Sequence, residues 1–377
     1  MNSDLLTYLK HGTLSDAASE QVVTALRADL LARVCAGEKI AMEVLAALAQ
    51  FCFDCEYVLS ESSAESEDLK TLEPNNSERD RLMLACYRPD HAEALPLCDI
   101  EQLRPVADLV SKSVASQYEE HPYPRWRFLP DGPQADDAID ILIAGCGTGR
   151  EPLLSARGAP LSRVVGIDLS RTSLAYGLMR AREYGVTNIR FLQGDLRDVH
   201  LLGIQFELIK CSGVLHHMAD PLEGLLALKK VLKPGGTMRL AVYSTRNRAS
   251  TYEAIKLRKQ HHIPSTNEAI RRFRQEIFAL PDTHPAKGVV TSADFYSISG
   301  VRDLLFHVQE RSYTIPELAD LVARSGLKLL QFGVGEKPAA RFKDMGFADP
   351  SNLALWEQVE DRYPGTFSGM YRIIVGA

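Results

Sequence analysis

No run of about 18 apolar residues occurs in the chain, so no segment is expected to cross a membrane as a helix. Positive charge is also scarce. The 377 residues carry 43 Lys and Arg against 49 Asp and Glu, a net charge of −6. That balance supplies no global basic field of the kind that holds a nucleic-acid backbone or an anionic bilayer. The opening MNSDLLTYLKHG has an early acid and no apolar core, so no signal peptide is expected. The seven cysteines are scattered and odd in number, which fits a reduced, cytoplasmic setting rather than a disulfide framework. No internal repeat is present. A C-x-x-C pair, Cys52 and Cys55, lacks the second pair that a zinc site needs. Both thiols fall on one apolar helical face with Ile40, Val44, Leu45, Leu48 and Leu59, where cysteine serves as a small hydrophobe.

What is present divides into two textures. Residues 17–35 and 39–60 are amphipathic and rich in strong helix formers, and 79–89 and the stretch around 99–116 also read as helix. Residues 61–80 hold seven acids against two basic residues and read as a loop. From about Ala138 short β-branched runs alternate with helical patterns. The runs are 139–144, 162–169, 187–193, 206–212 and 237–243, with helices expected at 151–157, 171–184 and 220–232. Such alternation predicts an α/β fold with a doubly wound, mostly parallel sheet. KPGG at 233–236 reads as a turn, and 326–334 and 369–376 as two further strands. A polar insertion spans 246–312. Its first part, 246–274, has eight Lys and Arg against two Glu, which describes either a solvated helix pair or an anion-binding surface.

The sharpest motif is ILIAGCGTGRE at 141–151, an apolar strand followed by a glycine-rich turn and a helix start. Gly145, Gly147 and Gly149 let the backbone turn tightly and approach a ligand, with Cys146 and Thr148 between them. The spacing is G-x-G-x-G rather than the dinucleotide G-x-G-x-x-G. Asp168, followed by Leu169, stands 19 residues beyond Gly149 at the end of the next strand, where a carboxylate can accept both hydroxyls of a ribose. A helix N-cap is the alternative role for Asp168. Asp195 and Leu196 in GDLRD follow the third strand and are placed to address an adenine edge. Cys211 opens CSGVLHHMADP at the end of the fourth.

Residues 139–243 resemble the core of the class I S-adenosylmethionine-dependent methyltransferases, whose glycine loop, strand-two acid and strand-three aspartate match in order. The resemblance implies a Rossmann-like sheet of seven strands with the last antiparallel, S-adenosyl-L-methionine as cofactor and S-adenosyl-L-homocysteine as product. Ala144 departs from the acid often found before the first glycine, so Glu151 or a backbone carbonyl must hold the cofactor ammonium. YEEHPYPRW, residues 294–310 and TFSGMYRIIV also resemble a bacterial methyltransferase group often attached to tetratricopeptide repeats. This chain has no repeat array, only a helical N-terminal region. The expected division is 1–116 helical and 117–377 catalytic, with a lid at 117–130 and the insertion at 246–312.

Methyl transfer from a sulfonium needs alignment above all, worth about 7–11 kcal/mol, and a general base adds typically ~10²–10⁴-fold. His216 and His217 are the base candidates, with the alternative that they pack under the cofactor, and Tyr296 is a further catalytic candidate. Arg302, His307 and Tyr243 are candidates for substrate contact. A guanidinium at Arg302 suits an anionic acceptor, and a salt bridge to Asp303 or Glu310 is its structural alternative. In the lid, Tyr118 is expected at the methionine end and Arg125 at the cofactor carboxylate, with Pro122 and Pro124 stiffening the crossing. No cluster with ligand spacing argues for a metal. The acceptor expected is a small molecule or peptide. The competing readings are a non-catalytic binding module and a nicotinamide-dependent dehydrogenase, and the glycine spacing opposes the latter. CSGV stands where amino-methylating nucleic-acid enzymes carry an NPPY-type tetrapeptide.

Overall fold

The computed structural model describes residues 3–73, 77–87, 95–132, 134–136, 138–333, 335–367 and 369–377. Positions 88 and 89 of the expected 79–89 helix, and 334 of the 326–334 strand, lie outside the described residues. The chain forms two compact units. One comprises 1–94, 125–128 and 250–306, and the other 95–124, 129–249 and 307–377.

The second unit is built on an eight-stranded sheet. Its strands are β1 (Glu101–Gln102), β2 (Asp140–Ala144), β3 (Arg163–Asp168), β4 (Ile189–Gln193), β5 (Phe206–Ser212), β6 (Leu232–Tyr243), β7 (Lys328–Gly333) and β8 (Met370–Gly376). Their order is β1-β4-β3-β2-β5-β6-β8-β7. β8 alone runs against its neighbours, β6 and β7. The central strands are buried on both faces, and their Val, Ile and Leu content follows from that. From β2 the chain winds outward to β3 and β4 on one side and to β5 and β6 on the other. This reversal is the switch point at which open α/β sheets bind ligands, at the carboxyl ends of the strands.

Two local expectations change. The short β1, paired to β4 through Glu101 and Gln102, makes eight strands instead of seven. KPGG does not end a helix as a free turn but lies within β6. Phe206 pairs with Leu232 and Leu208 with Thr237, so Lys233–Gly236 bulge out opposite Glu207. Gly235 takes φ +77°, the left-handed conformation such a bulge demands.

The first unit is helical. Helices Ala17–Cys35, Met42–Asp54, Ser63–Leu69 and Glu78–Leu84 share one apolar core with Asn267–Ala279 and Ile298–Phe306. The acidic stretch expected as a loop holds Ser63–Leu69, stabilised by a capping box between Ser62 and Glu65. The larger difference concerns the insertion. Residues 250–306 group with the N-terminal helices, not with the sheet. Arg274 explains why. Its buried guanidinium donates to Phe295 O at 2.7 Å, Val58 O at 3.0 Å and the Glu20 carboxylate at 3.2 Å. Arg271 donates to Tyr57 O at 2.7 Å. Arg271 and Arg274 of the basic run are therefore internal wiring, whereas Lys256 and Arg272 are exposed. Cys52 and Cys55 are free, buried thiols.

Candidate active site

The glycine turn after β2 is shaped by close approaches. Gly145, Gly147 and Gly149 have φ of +67°, +51° and +83°. A Cβ on Gly147 would come within 2.8 Å of the Tyr123 carbonyl oxygen, and one on Gly149 within 2.8 Å of Gly177 Cα. Only glycine satisfies both constraints here. Thr148, fully buried, donates its hydroxyl to the Pro124 carbonyl, so residues 123–124 are seated directly on the turn.

Asp168 ends β3 facing this turn. Its Oδ2 accepts from Gly147 N at 2.8 Å and its Oδ1 from Ser170 N at 2.9 Å. Burial raises its pKa, while the Ser170 and Gly147 N–H groups pull it down. A carboxylate has about four acceptor sites, so Asp168 keeps acceptor capacity for a ribose hydroxyl. The capping alternative for Asp168 falls away, because Ser170 caps the helix Arg171–Glu183 through Ser173 N. The Leu169 carbonyl accepts from Gln193 Nε2 at 3.1 Å. The geometry at this end fits the ribose of S-adenosylmethionine.

Asp195 is more heavily engaged. It accepts from Arg197 N and Nε at 3.0 Å each, Arg197 Nη2 at 2.6 Å and Ser111 Oγ at 2.7 Å. Burial pushes its pKa up, but the Arg197 bonds prevail and hold it below the ordinary carboxylate value. An adenine amine would have to displace one of these donors. Leu196 is buried beside it, and Cys211, at the end of β5, has its thiol pushed up to about 12 by burial. Cys146 is likewise held protonated by burial and by the Asp168 charge. Glu151, an expected holder of the cofactor ammonium, is instead paired to Lys210 at 2.6 Å.

The helix Leu109–Glu120 braces these loops. Ser111 reaches Asp195, and Glu119 accepts from Arg171 N at 2.5 Å and Thr172 N at 3.0 Å, capping the helix after β3. Neither residue carried a signal in the sequence, because each acts on a partner more than 50 positions away.

Beyond β5 the structure gathers a ring ladder. Arg248 lies 4.1 Å over Tyr243, Tyr243 stacks on His216 at 3.8 Å, and His216 meets His217 edge-on at 4.3 Å. His217 stacks on His307 at 3.6 Å, and His307 faces Tyr118 at 5.8 Å. Tyr118 thus points to the histidines. The Arg248 guanidinium is buried and bound to Glu310 through Nε at 3.1 Å. Sequence reading missed this pair, since 62 residues separate its members. Both histidines are held neutral. Burial, then the charges of His217, Arg248 and His307, lower His216 well below its ordinary value. Burial lowers His217 to about 4, although its bond to Gln309 O opposes the fall.

Three expected site residues belong to the helical unit. Arg125 is ion-paired to Glu56 at 3.2 Å and lies 5.3 Å from the Phe53 ring centroid, so its charge is already committed. Tyr296 is 1% exposed in the helical core, with its hydroxyl donated to Val290 O at 2.7 Å, which removes it as a catalytic candidate. Arg302 lies on helix Ile298–Phe306. The other candidates, from Tyr118 to Tyr243 and His307, are residues of the sheet unit.

Residues 141–236 match the family described as the methyltransferase domain. With the sheet order above, the sheet unit has the Rossmann-like fold of class I methyltransferases. The chain is 30% identical over 255 residues to an uncharacterized Synechococcus sp. protein, 60% of each chain. It is 30% identical over 179 residues to a ubiquinone biosynthesis O-methyltransferase of Cereibacter sphaeroides, 47% of this chain and 66% of that one. The chain thus spans less than two thirds of the length of these relatives. Among solved structures it resembles PKMT2 from Rickettsia typhi, with a TM-score of 0.51 and 16% identity, over 71% of this chain and 51% of that one. That likeness concerns the fold alone. Among the described residues no helix is long and apolar enough to cross a membrane.

Proposed function

We propose that the protein transfers a methyl group from S-adenosylmethionine to a small-molecule or peptide acceptor, within the bacterial group often attached to tetratricopeptide repeats. The observation that carries the reading is Asp168, a carboxylate at the switch-point edge whose two oxygens are fixed by Gly147 and Ser170 while acceptor capacity remains. When bound, S-adenosylmethionine supplies an activated methyl as a sulfonium. In this reading Asp168 orients the ribose, Gly145–Gly149 pass the backbone beneath the cofactor, and Pro124 bonded to Thr148 holds the preceding segment on the turn. The histidines past β5 face the acceptor, and His217 takes its proton. Because its pKa lies near 4, His217 is already unprotonated at neutral pH.

The basic stretch 246–274 supports an anionic acceptor less than its charge suggests. Arg248 is tied to Glu310, Arg271 to a backbone carbonyl and Arg274 to Glu20. Incubation with methyl-labelled S-adenosylmethionine and fractionated metabolite and peptide extracts tests the reading. Label transfer with stoichiometric S-adenosylhomocysteine is expected. Tight S-adenosylhomocysteine binding without transfer to any fraction would instead make the protein a non-catalytic binding module.

A further inference from the structure

The two adjacent histidines present opposite chemistry. His216 Nδ1 lies 3.2 Å from the Tyr243 backbone N–H, which can only donate. Nδ1 must therefore hold the lone pair, and in the neutral ring the proton sits on Nε2. His217 Nδ1 lies 2.8 Å from the Gln309 carbonyl, which can only accept. Its proton sits on Nδ1, and the lone pair is on Nε2. One ring thus offers a donor and its neighbour an acceptor, with 4.3 Å between their centroids.

The donor is unspent. His216 is 0% exposed, and its Nε2 is buried with no hydrogen-bond partner among the described residues. A second buried donor, Gln117 Nε2, also has no partner among the described residues, while Gln117 Oε1 accepts from Val308 N at 3.3 Å. Val308 follows His307, whose ring stacks on His217, so Gln117 is tied to the same ladder. Leaving a polar group buried and unpaired is costly, a penalty that a ligand supplying an acceptor would remove.

We propose that this ladder recognises an acceptor bearing a hydroxyl beside a second oxygen, as in a catechol, an enol next to a carbonyl or a hydroxy acid. The proposal rests on the methyltransferase reading above. The hydroxyl donates to His217 Nε2, and the neighbouring oxygen accepts from His216 Nε2–H, with Gln117 supplying a further donor. A bare carboxylate offers no hydrogen to His217. An ammonium offers no acceptor to His216 or Gln117. On transfer, the hydroxyl oxygen forms the new O–CH₃ bond as the S–CH₃ bond breaks. The sulfur keeps that electron pair, and the hydroxyl proton passes to His217 Nε2 and then to solvent. Tyr243, stacked on His216 and under Arg248, is a positioning residue, because its backbone fixes the tautomer.

The test uses the full-length protein, ¹⁵N-labelled at histidine and saturated with S-adenosylhomocysteine. Long-range ¹H–¹⁵N spectra should give His216 as the Nε2–H tautomer and His217 as the Nδ1–H tautomer. Catechol should shift both rings, with weaker binding in Gln117→Leu by about tenfold. Benzoate and benzylamine serve as the acid and amine probes. The same tautomer at both rings, no response to catechol, or a stronger response to benzylamine would overturn the proposal. Failure to bind S-adenosylhomocysteine would instead count against the methyltransferase reading, so the two failures are distinguishable.

Discussion

Two buried clusters, one around Arg27 and Arg274 in the helical unit and one around His216 in the sheet unit, treat polarity in opposite ways. In the helical unit, the large buried cations are saturated. Arg27 donates to Glu65 at 3.1 and 3.3 Å and to Ser60 O at 2.5 Å, and its guanidinium sits 4.1 Å over Tyr87, which itself donates to Glu65 at 2.7 Å. Arg274 is bound by three different segments of that unit. In the sheet unit, by contrast, His216 and Gln117 bury donors that nothing among the described residues receives. A saturated buried charge fixes a fold, whereas an unpaired buried donor is kept at a cost.

The comparison can be broken most forcefully at Arg274. Arg274→Ala leaves Glu20 buried without its partner, and loss of one member of a buried pair costs about 3–5 kcal/mol. Urea denaturation should show this loss, while S-adenosylhomocysteine affinity measured on the folded variant stays within about twofold of the parent. A parent-like stability would mean that the pair is not what holds 250–306 to the N-terminal helices.

Acid should expose the other side of the comparison. The folded pKa of His217, about 4, lies below the unfolded value near 6.5, so the unfolded chain binds more protons between them. Stability is then complete above about pH 6.5 and falls as pH drops toward 4, by an amount on the order of 3 kcal/mol. His217→Phe should flatten the part of this slope due to that ring, with His216, also lowered by burial, accounting for a remainder. For turnover, a rate plateau extending from neutrality down toward pH 4 is expected, with activity lost below it. Loss centred near 6.5 would show that the base is an ordinary solvated imidazole.

Asp168→Asn keeps the shape and removes the charge that would accept from ribose. Charged hydrogen bonds contribute about 1.5–3 kcal/mol each, so S-adenosylhomocysteine affinity should fall on the order of 10²-fold by calorimetry. An unchanged affinity would leave Asp168 a loop-building residue only. The smallest effect is expected at Glu119→Ala. Removing the cap on Arg171 and Thr172 should destabilise the sheet unit by about 1 kcal/mol and weaken cofactor binding several-fold, read by thermal shift with and without S-adenosylhomocysteine.

Legibility in the sequence tracked the range of the interactions involved. The turn at Gly145–Gly149 and the strands from Asp140 to Tyr243 were readable because strand periodicity and glycine spacing are local. Asp168 was readable because a fixed βα unit carries the chain from the turn to the next strand end. The bulge at Lys233–Gly236 was misread as a turn, since only the register against β5 distinguishes the two. Arg125 and Tyr296 carried suitable chemistry for a site, but Glu56 and Val290 had the prior claim on them. The basic run looked like a surface because charge counting does not see a buried partner 254 residues away.

Sequence alone determined the class of sheet, the glycine turn and the acid that faces it, because each is written in residues close together along the chain. The tertiary structure decided three things that the sequence did not. It assigned 250–306 to the helical unit, aligned the ladder from Arg248 to Tyr118, and set the opposite tautomers of His216 and His217. Each depends on a partner brought in from far along the chain: Glu20 for Arg274, Glu310 for Arg248, Gln309 for His217. A histidine's role is fixed by the atom its other nitrogen meets, and only the folded chain supplies that atom.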